Sequence, residues 1–284
     1  MKHFIFDGKL LPEGAPVVGP PNRGLRYGDG LFETIKCADG QLLMADEHFA
    51  RLWKGMQVLQ FDIPKHFTPE DLAEKTINLC RKNGHERSAR VRITVLRGDG
   101  GLYDAANHFP HYIIETSELP QSNGEWNSNG LVLGIYSEVR KSNDILANLK
   151  HNNFLPYLLA ALHAKKQQWN DALVLNSEGR ICDSTIANIF MIRDENIYTP
   201  PLSEACIAGV MRRSLIKALA TTGYSVNERQ ITVEELALAD EVFLTNSIYN
   251  LRWVQRIGET VYKNSFTHKI HTDIVREKLA VGNW

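Results

Sequence analysis

Cysteine is scarce: Cys37, Cys80, Cys182 and Cys206 are the 4 in 284 residues, far apart and with no C-x-x-C pair. That argues against a disulfide framework or a cysteine zinc site, and suits a reducing cytoplasm. No sign of charge dominates, since 32 Lys plus Arg face 33 Asp plus Glu for a formal net charge of −1. The balance gives no electrostatic ground to expect nucleic acid or an anionic membrane as a partner. Long hydrophobic runs are missing too. The longest helix-like one, 154–164, is interrupted by Pro156 and His163 and is too short to span a bilayer. The opening MKHFIFDGKL lacks the apolar stretch of a secretory signal. There is no P-loop, G-x-G-x-x-G, H-E-x-x-H or G-x-S-x-G motif. His108 and His111 lack metal-ligand spacing with an acidic partner, so no metal site is expected.

What remains is an ordinary globular composition, 43% hydrophobic and 23% charged, with enough chain for a sizeable core. Strands are expected at Phe4–Phe6, Leu31–Ile35 and Leu42–Met44, between Gly-containing turns. Phe49, Leu52, Trp53, Met56 and Leu59 recur at helical spacing and predict an amphipathic helix over 46–60. Thr68-Pro69-Glu70-Asp71 reads as a helix start. Over 89–96, Val91, Ile93 and Val95 alternate with Arg90, Arg92 and Thr94, the pattern of a strand with a basic face. Another strand is expected at 111–116. The polar, turn-rich stretch 120–130 predicts a boundary between a small α+β domain, 1–119, and a larger α/β domain, 131–284. In the second, strands are expected at 131–136, 172–175, 188–192 and 242–245, and helices near 153–167 and 209–221. Thr232-Val-Glu-Glu235 matches a capping box.

Four stretches stand out together. They are Arg23-Gly-Leu-Arg-Tyr-Gly-Asp-Gly-Leu-Phe-Glu33; Leu149-Lys150-His151-Asn152-Asn153; Gly179-Arg-Ile-Cys-Asp183 running to Asn188-Ile-Phe; and Tyr198-Thr-Pro-Pro followed by Gly209-Val210 and Thr245-Asn246-Ser247. In order and spacing they resemble the class IV aminotransferases, the fold-type IV enzymes dependent on pyridoxal 5'-phosphate. That group spans branched-chain aminotransferases, D-amino-acid aminotransferases and aminodeoxychorismate lyase, and the resemblance runs from about residue 5 to about residue 257.

The resemblance implies an α/β protein with a small α+β N-terminal domain, a larger C-terminal α/β domain and the cofactor in the cleft. Lys150 would form the Schiff base and shuttle the Cα proton. Asp183 would pair with the pyridine nitrogen, at a position where the family usually has glutamate. Arg51, the helix start Gly209-Val210, Ser247 and the neighbouring Asn246 would hold the phosphate. Tyr27 and Phe32 would line the substrate pocket. Arg92 matches the arginine that branched-chain enzymes use for the second carboxylate of glutamate. His108, in Asn107-His108-Phe-Pro, matches the D-amino-acid enzymes, but their carboxylate-trapping arginine is replaced here by Ala106. Leu149-Lys150-His151, Arg97-Gly-Asp-Gly-Gly101 and the 246–254 region resemble the lyase, and Leu155 stands where branched-chain enzymes carry an aromatic.

The implied activity is transfer of an amino group between an amino acid, a branched-chain L-amino acid first, and 2-oxoglutarate. Aminodeoxychorismate lyase, which eliminates pyruvate to give 4-aminobenzoate, is the alternative. Partners would be a small amino acid, a 2-oxo acid and a second copy of the chain, whose 100–110 loop would complete each site of a homodimer.

Overall fold

The computed structural model describes residues 2–279, and they divide into two compact units: residues up to 123 together with 149–153, and 124–148 together with 154 onward. In the first unit β1 (His3–Phe6), β2 (Lys9–Pro12), β3 (Gly30–Ala38), β4 (Gln41–Leu42), β5 (Ser88–Arg97) and β6 (Pro110–Glu118) form one antiparallel sheet, ordered β2-β1-β6-β5-β3-β4. Helix α1 (Arg23–Tyr27) precedes β3, and α2 (Ala45–Val58) and α3 (Pro69–Asn83) lie between β4 and β5. Leu31, Ile35 and Cys37 of β3 and Val91, Ile93 and Val95 of β5 share a buried cluster with Phe49, Leu52 and Met56 of α2 and Leu72 and Leu79 of α3. The expected alternation on β5 holds: Arg90 is exposed, and Arg92 and Thr94 are half-buried.

Local chemistry sets the helix ends. Thr68 Oγ1 accepts the Asp71 N–H at 3.2 Å, with Pro69 in the first turn, as the sequence predicted. The strand expected at 42–44 stops at Leu42, because Met44 adopts a left-handed conformation (φ 52°) as the residue leading into α2.

The second unit holds a nine-stranded mixed sheet. Its strands are β7 (Leu131–Lys141), β8 (Asp171–Asn176), β9 (Ile181–Ser184), β10 (Asn188–Arg193), β11 (Asn196–Thr199), β12 (Val226–Glu228), β13 (Glu241–Asn246), β14 (Asn250–Ile257) and β15 (Thr260–Val261). The order is β12-β11-β10-β13-β14-β7-β8-β9, with β15 on β14. Its helices are α4 (Leu155–Lys166), α5 (Val210–Thr221), α6 (Val233–Ala237) and α7 (Ser265–Ile270). Sequence periodicity missed β9, β11, β12, β14 and β15, which are short or follow turns with little alternation of their own. The Thr232–Glu235 capping box is present in full. The predicted 153–167 helix begins later, at Leu155, with Pro156 in the first turn where its missing N–H costs no hydrogen bond.

Residues 150–152 instead run extended beside β3. The Phe32 N–H donates to the Lys150 carbonyl at 2.9 Å, and the Asn152 N–H to the Gly30 carbonyl at 3.0 Å. A Cβ on Gly30 would lie 2.2 Å from the Val95 carbonyl oxygen and 2.7 Å from Asn152 Nδ2. Gly30→Ala is therefore expected to destabilise the protein by about 2 kcal/mol through overpacking. Gly19→Ala, whose nearest neighbour is Pro21 Cδ at 3.5 Å, should match wild type in the same denaturant titration.

Candidate active site

The segment that adds to β3 fixes Lys150. Leu149 is buried in the first unit's core, and the backbone bonds of 150–152 to β3 leave the side chain to project from a pinned strand. Lys150 is half-buried, with its Nζ 4.5 Å from the centroid of the Phe32 ring. The Arg92 guanidinium lies over the same ring at 4.0 Å, and its Nε donates to Thr94 Oγ1 at 3.2 Å. Burial, then Arg90, lowers the pKa of Arg92, with Glu115 offsetting part of the effect. Both unfavourable causes penalise the cation, so an anion placed against Arg92 would be stabilised.

Two glycines let the backbone pack this closely. Gly28 closes α1 in the left-handed region (φ 66°), and a Cβ there would sit 2.3 Å from Asn153 Oδ1. Between Gly28 and Gly30, Asp29 Oδ2 accepts from Arg23 Nε and from Arg97 Nε, each at 2.9 Å. Arg23 continues to the carbonyls of Leu102 at 2.5 Å and Tyr103 at 3.3 Å, tying down the 98–103 loop. Tyr27 packs beside that loop, its ring centroid 6.0 Å from that of Tyr103. His108 is exposed, with Nδ1 3.3 Å from Arg97 Nη1, and belongs to this arginine cluster.

Arg51 is engaged by a residue that the motif reading left without a role. Glu33, 1% exposed, takes Arg51 Nε on Oε1 at 2.7 Å and Arg51 Nη2 on Oε2 at 2.6 Å. It also takes His48 Nδ1 on Oε2 at 2.7 Å, which requires the proton on Nδ1. Among the described residues His48 Nε2, which is buried, has no hydrogen-bond partner. Burial lowers the His48 pKa, with Arg51 and Lys150 adding to the effect against Glu33, so the ring is neutral at neutral pH. Glu33 faces desolvation, which raises its pKa, but Arg51 and His48 outweigh it and hold the carboxyl down at about 2.

In the second unit Asp183, on β9, is 2% exposed. Its Oδ2 accepts the Tyr157 hydroxyl at 3.0 Å and the Ile207 N–H at 2.9 Å, and the Lys141 ammonium lies 3.7 Å away. The Ile207 contact brings Asp183 beside the start of α5. There a Cβ on Gly209 would lie 1.8 Å from Asn188 Oδ1, and Asn188 Nδ2 is bonded to the Ile207 carbonyl at 2.9 Å. Gly209 has no side chain to cap the helix, whose first N–H groups have no partner within it. Asn246 spends its polar atoms on two turns: in the β13–β14 turn Oδ1 accepts from the N–H groups of Ile248 and Tyr249, both at 3.0 Å, and Nδ2 donates across to the carbonyl of Ile186, between β9 and β10, at 3.3 Å. Ser247 is half-buried in the same turn.

The structure thus groups Lys150, Phe32 and Arg92 around one ring, with Arg51 on the adjoining Glu33, and groups Asp183 with the Gly209-Val210 helix start. Glu33, His48, Lys141 and Tyr157 were not assigned from the sequence. Only the fold shows their partners, since they come from elements far apart in the chain. Among the described residues no cluster of three or more His, Cys, Asp or Glu side chains could hold a metal ion. No helix among them is long and apolar enough to cross a membrane.

A mixed α/β fold carrying a pinned lysine, a buried carboxylate and an uncapped helix start defines a class. The chain belongs to the class IV amino-transferase family, whose model matches residues 30–257. It is 32% identical over 247 residues to an aminodeoxychorismate lyase of Vibrio harveyi, covering 86% of this chain and 89% of that protein. It is 31% identical over 281 residues to a putative branched-chain-amino-acid aminotransferase of Methanocaldococcus jannaschii, covering 98% and 95%. The fold matches the crystal structure of the 4-amino-4-deoxychorismate lyase of Pseudomonas aeruginosa at a TM-score of 0.83, with 27% identity and 97% and 99% coverage. The cofactor of this family is pyridoxal 5'-phosphate. The chemistry present in each unit fits it: in the first, a primary amine suited to an aldehyde and a guanidinium suited to a phosphate; in the second, a helix start suited to an anion and a buried carboxylate suited to a pyridine nitrogen.

The Glu33 pair gives a pH dependence. A carboxyl held at about 2, against an ordinary 4.5, contributes stability that is complete above 4.5 and is lost as pH falls towards 2. The full amount is roughly 3 kcal/mol. Denaturant melts between pH 6 and 3 should show wild type losing stability steeply below pH 4.5, and Glu33→Gln, weaker at neutral pH, showing a shallower slope.

Proposed function

We propose that the protein is a transaminase that moves an amino group between a branched-chain L-amino acid and 2-oxoglutarate, using pyridoxal 5'-phosphate. The observation that carries this reading is the pair of cations over Phe32, Lys150 at 4.5 Å and Arg92 at 4.0 Å. It supports an amine for proton transfer with a carboxylate anchor at the same aromatic ring, which a dicarboxylic amino acceptor needs. When bound, the cofactor supplies an electron sink for the charge that develops at the substrate Cα.

The chain's own groups do the rest. Lys150 holds the cofactor covalently and, as an amine, takes the Cα proton and returns it. Asp183 receives the ring nitrogen. Arg51, oriented by Glu33, and the first N–H groups of α5 at Gly209-Val210 hold the phosphate, with Ser247 in the β13–β14 turn that Asn246 shapes. Arg92 binds the distal carboxylate, and Phe32 and Tyr27 bound the substrate's side chain, with His108 on the loop beyond. A homodimer in the cytoplasm completes the reading. The outward Leu102, 69% exposed, and Tyr103, 90% exposed, support a contact between the 100–110 loop and a second copy.

The identity to the Vibrio harveyi lyase supports a second reading, elimination of pyruvate from aminodeoxychorismate by the same Lys150. Incubation of holoenzyme with an amino-acid panel decides between them. The transaminase reading expects L-leucine and L-glutamate to convert the bound cofactor to its pyridoxamine form. Silence across the panel, with pyruvate released from aminodeoxychorismate, overturns it in favour of the lyase.

Either activity requires the same anchor. Borohydride reduction followed by peptide mapping should place the pyridoxyl group on Lys150, and an adduct on another lysine would remove the assignment. Lys150→Ala should fold, because its charged side chain adds little to the core, and should lose turnover almost entirely.

A further inference from the structure

Asp183 is one methylene shorter than the glutamate of the family pattern, and groups from three other segments converge on its Oδ2. On β8, Val174 stands opposite Asp183 but Leu175 stands opposite Ile181, so Cys182 is an extra, bulged residue immediately before Asp183. A bulge of this kind re-aims the side chain beside it. On the other edge of β8 the register also breaks at Val174 and Leu175: Tyr136 faces the first and Arg140 the second. That insertion brings Lys141, at the end of β7, within 3.7 Å of a carboxylate on β9.

Lys141 is 8% exposed. Its ammonium donates to the Ala147 carbonyl at 3.3 Å, to the Ala205 carbonyl and to the Tyr157 hydroxyl oxygen. An ammonium has three N–H groups, and here each has an acceptor, so the charge is held in one place. Tyr157 passes the constraint on by donating its own hydroxyl to Asp183 Oδ2. With the Ile207 N–H on the same atom, Oδ2 is fully occupied. Oδ1, among the described residues, meets the Cys182 thiol at 3.4 Å, a weak donor.

The titratable groups facing Asp183 are Lys141 from β7, Tyr157 from α4, Cys182 from its own strand and Cys206 from the segment before α5. Burial and the Asp183 charge raise Tyr157 and Cys182 well above their ordinary values and Cys206 to about 12, so these three stay neutral. Lys141 therefore supplies the local positive charge.

We propose that Lys141, working through Tyr157, is a positioning residue for Asp183: it holds Oδ2, leaves Oδ1 as the oxygen that meets the pyridine nitrogen, and by its charge restrains protonation of that nitrogen. The inference rests on the reading that Asp183 receives the ring nitrogen. It gives the short carboxylate a fixed direction in place of reach, and it moderates the carboxylate's charge.

The test is the protonation of the ring nitrogen, read by nitrogen NMR on holoenzyme loaded with pyridoxal 5'-phosphate labelled with 15N in the ring. Removing a positive charge near the ring favours its protonated form. Lys141→Met should therefore raise the pH midpoint of ring-nitrogen protonation, by about one unit. Lys141→Arg, which keeps the charge, should stay near wild type. Tyr157→Phe keeps the ring and removes the hydroxyl bridge. It should move the midpoint the same way, and it carries the test if Lys141→Met does not fold. A wild-type midpoint in the folded Lys141→Met protein, or in Tyr157→Phe where the former does not fold, overturns the proposal. Asp183→Asn separates the two levels. If it leaves the ring resonance unchanged, the assignment of Asp183 itself fails. If it moves the resonance while the Lys141 and Tyr157 variants do not, that assignment stands and only the role of Lys141 falls.

Discussion

Strand β3 has a partner on one side along its whole length, but on the other its only regular neighbour among the described residues is β4, two residues long at the far end. Backbone N–H and C=O groups at the start of β3 must find partners, because unpaired groups there would cost as much as lost hydrogen bonds. Residues 150–152 supply them, and with that pairing comes the position of Lys150. The fit in turn requires that Gly28 and Gly30 carry no side chain, since the space of a Cβ is taken by Asn153 in one case and by Val95 and Asn152 in the other. One backbone vacancy thus accounts for the glycines, for the extended form of 150–152 and for the lysine's placement.

The same economy governs the charges. Buried ions are tolerated only with partners, and removing one partner costs more than the pair contributes. Glu33 is paired on both sides, by Arg51 and His48. Asp29 joins Arg23 and Arg97. Asp183 answers Lys141. Glu33 and Asp29 each fix the direction of arginines that would otherwise sample several rotamers. Orienting arginines in this way is worth more to a binding site than their charge alone, because hydrogen bonds to an anion need direction as well as sign.

Much of this was legible in the sequence wherever the controlling chemistry is local. The caps at Thr68 and Thr232 depend on residues three apart, and both form as expected. The alternation over 89–96 is a property of one strand, and the face it predicted for Arg92 is the face observed. Met44 misled because a methionine carries none of the signature of a left-handed residue, which favours Gly, Asn and Asp, so an apolar triplet read as strand while its last member opened α2. Glu33 escaped for a different reason. It sits in a strand of otherwise apolar inward positions, and its partners lie on a helix that passes over the sheet. The support around Asp183 was invisible because it depends on register: a bulge at Cys182 and an insertion in β7 shift which residues meet, and neither leaves a mark in composition.

The grouping of 149–153 with the first unit also has a consequence in time. During synthesis, residues 1–123 leave the ribosome before the segment that completes their sheet, and residues 124–148 must be made in between. At roughly 5–20 residues per second that interval is a few seconds, longer than most strand pairing takes. Through it the start of β3 is an open edge, the kind of surface on which nascent chains pair wrongly with one another. The lysine segment is therefore also the sheet's late closure, and a chain truncated before it would keep that edge exposed.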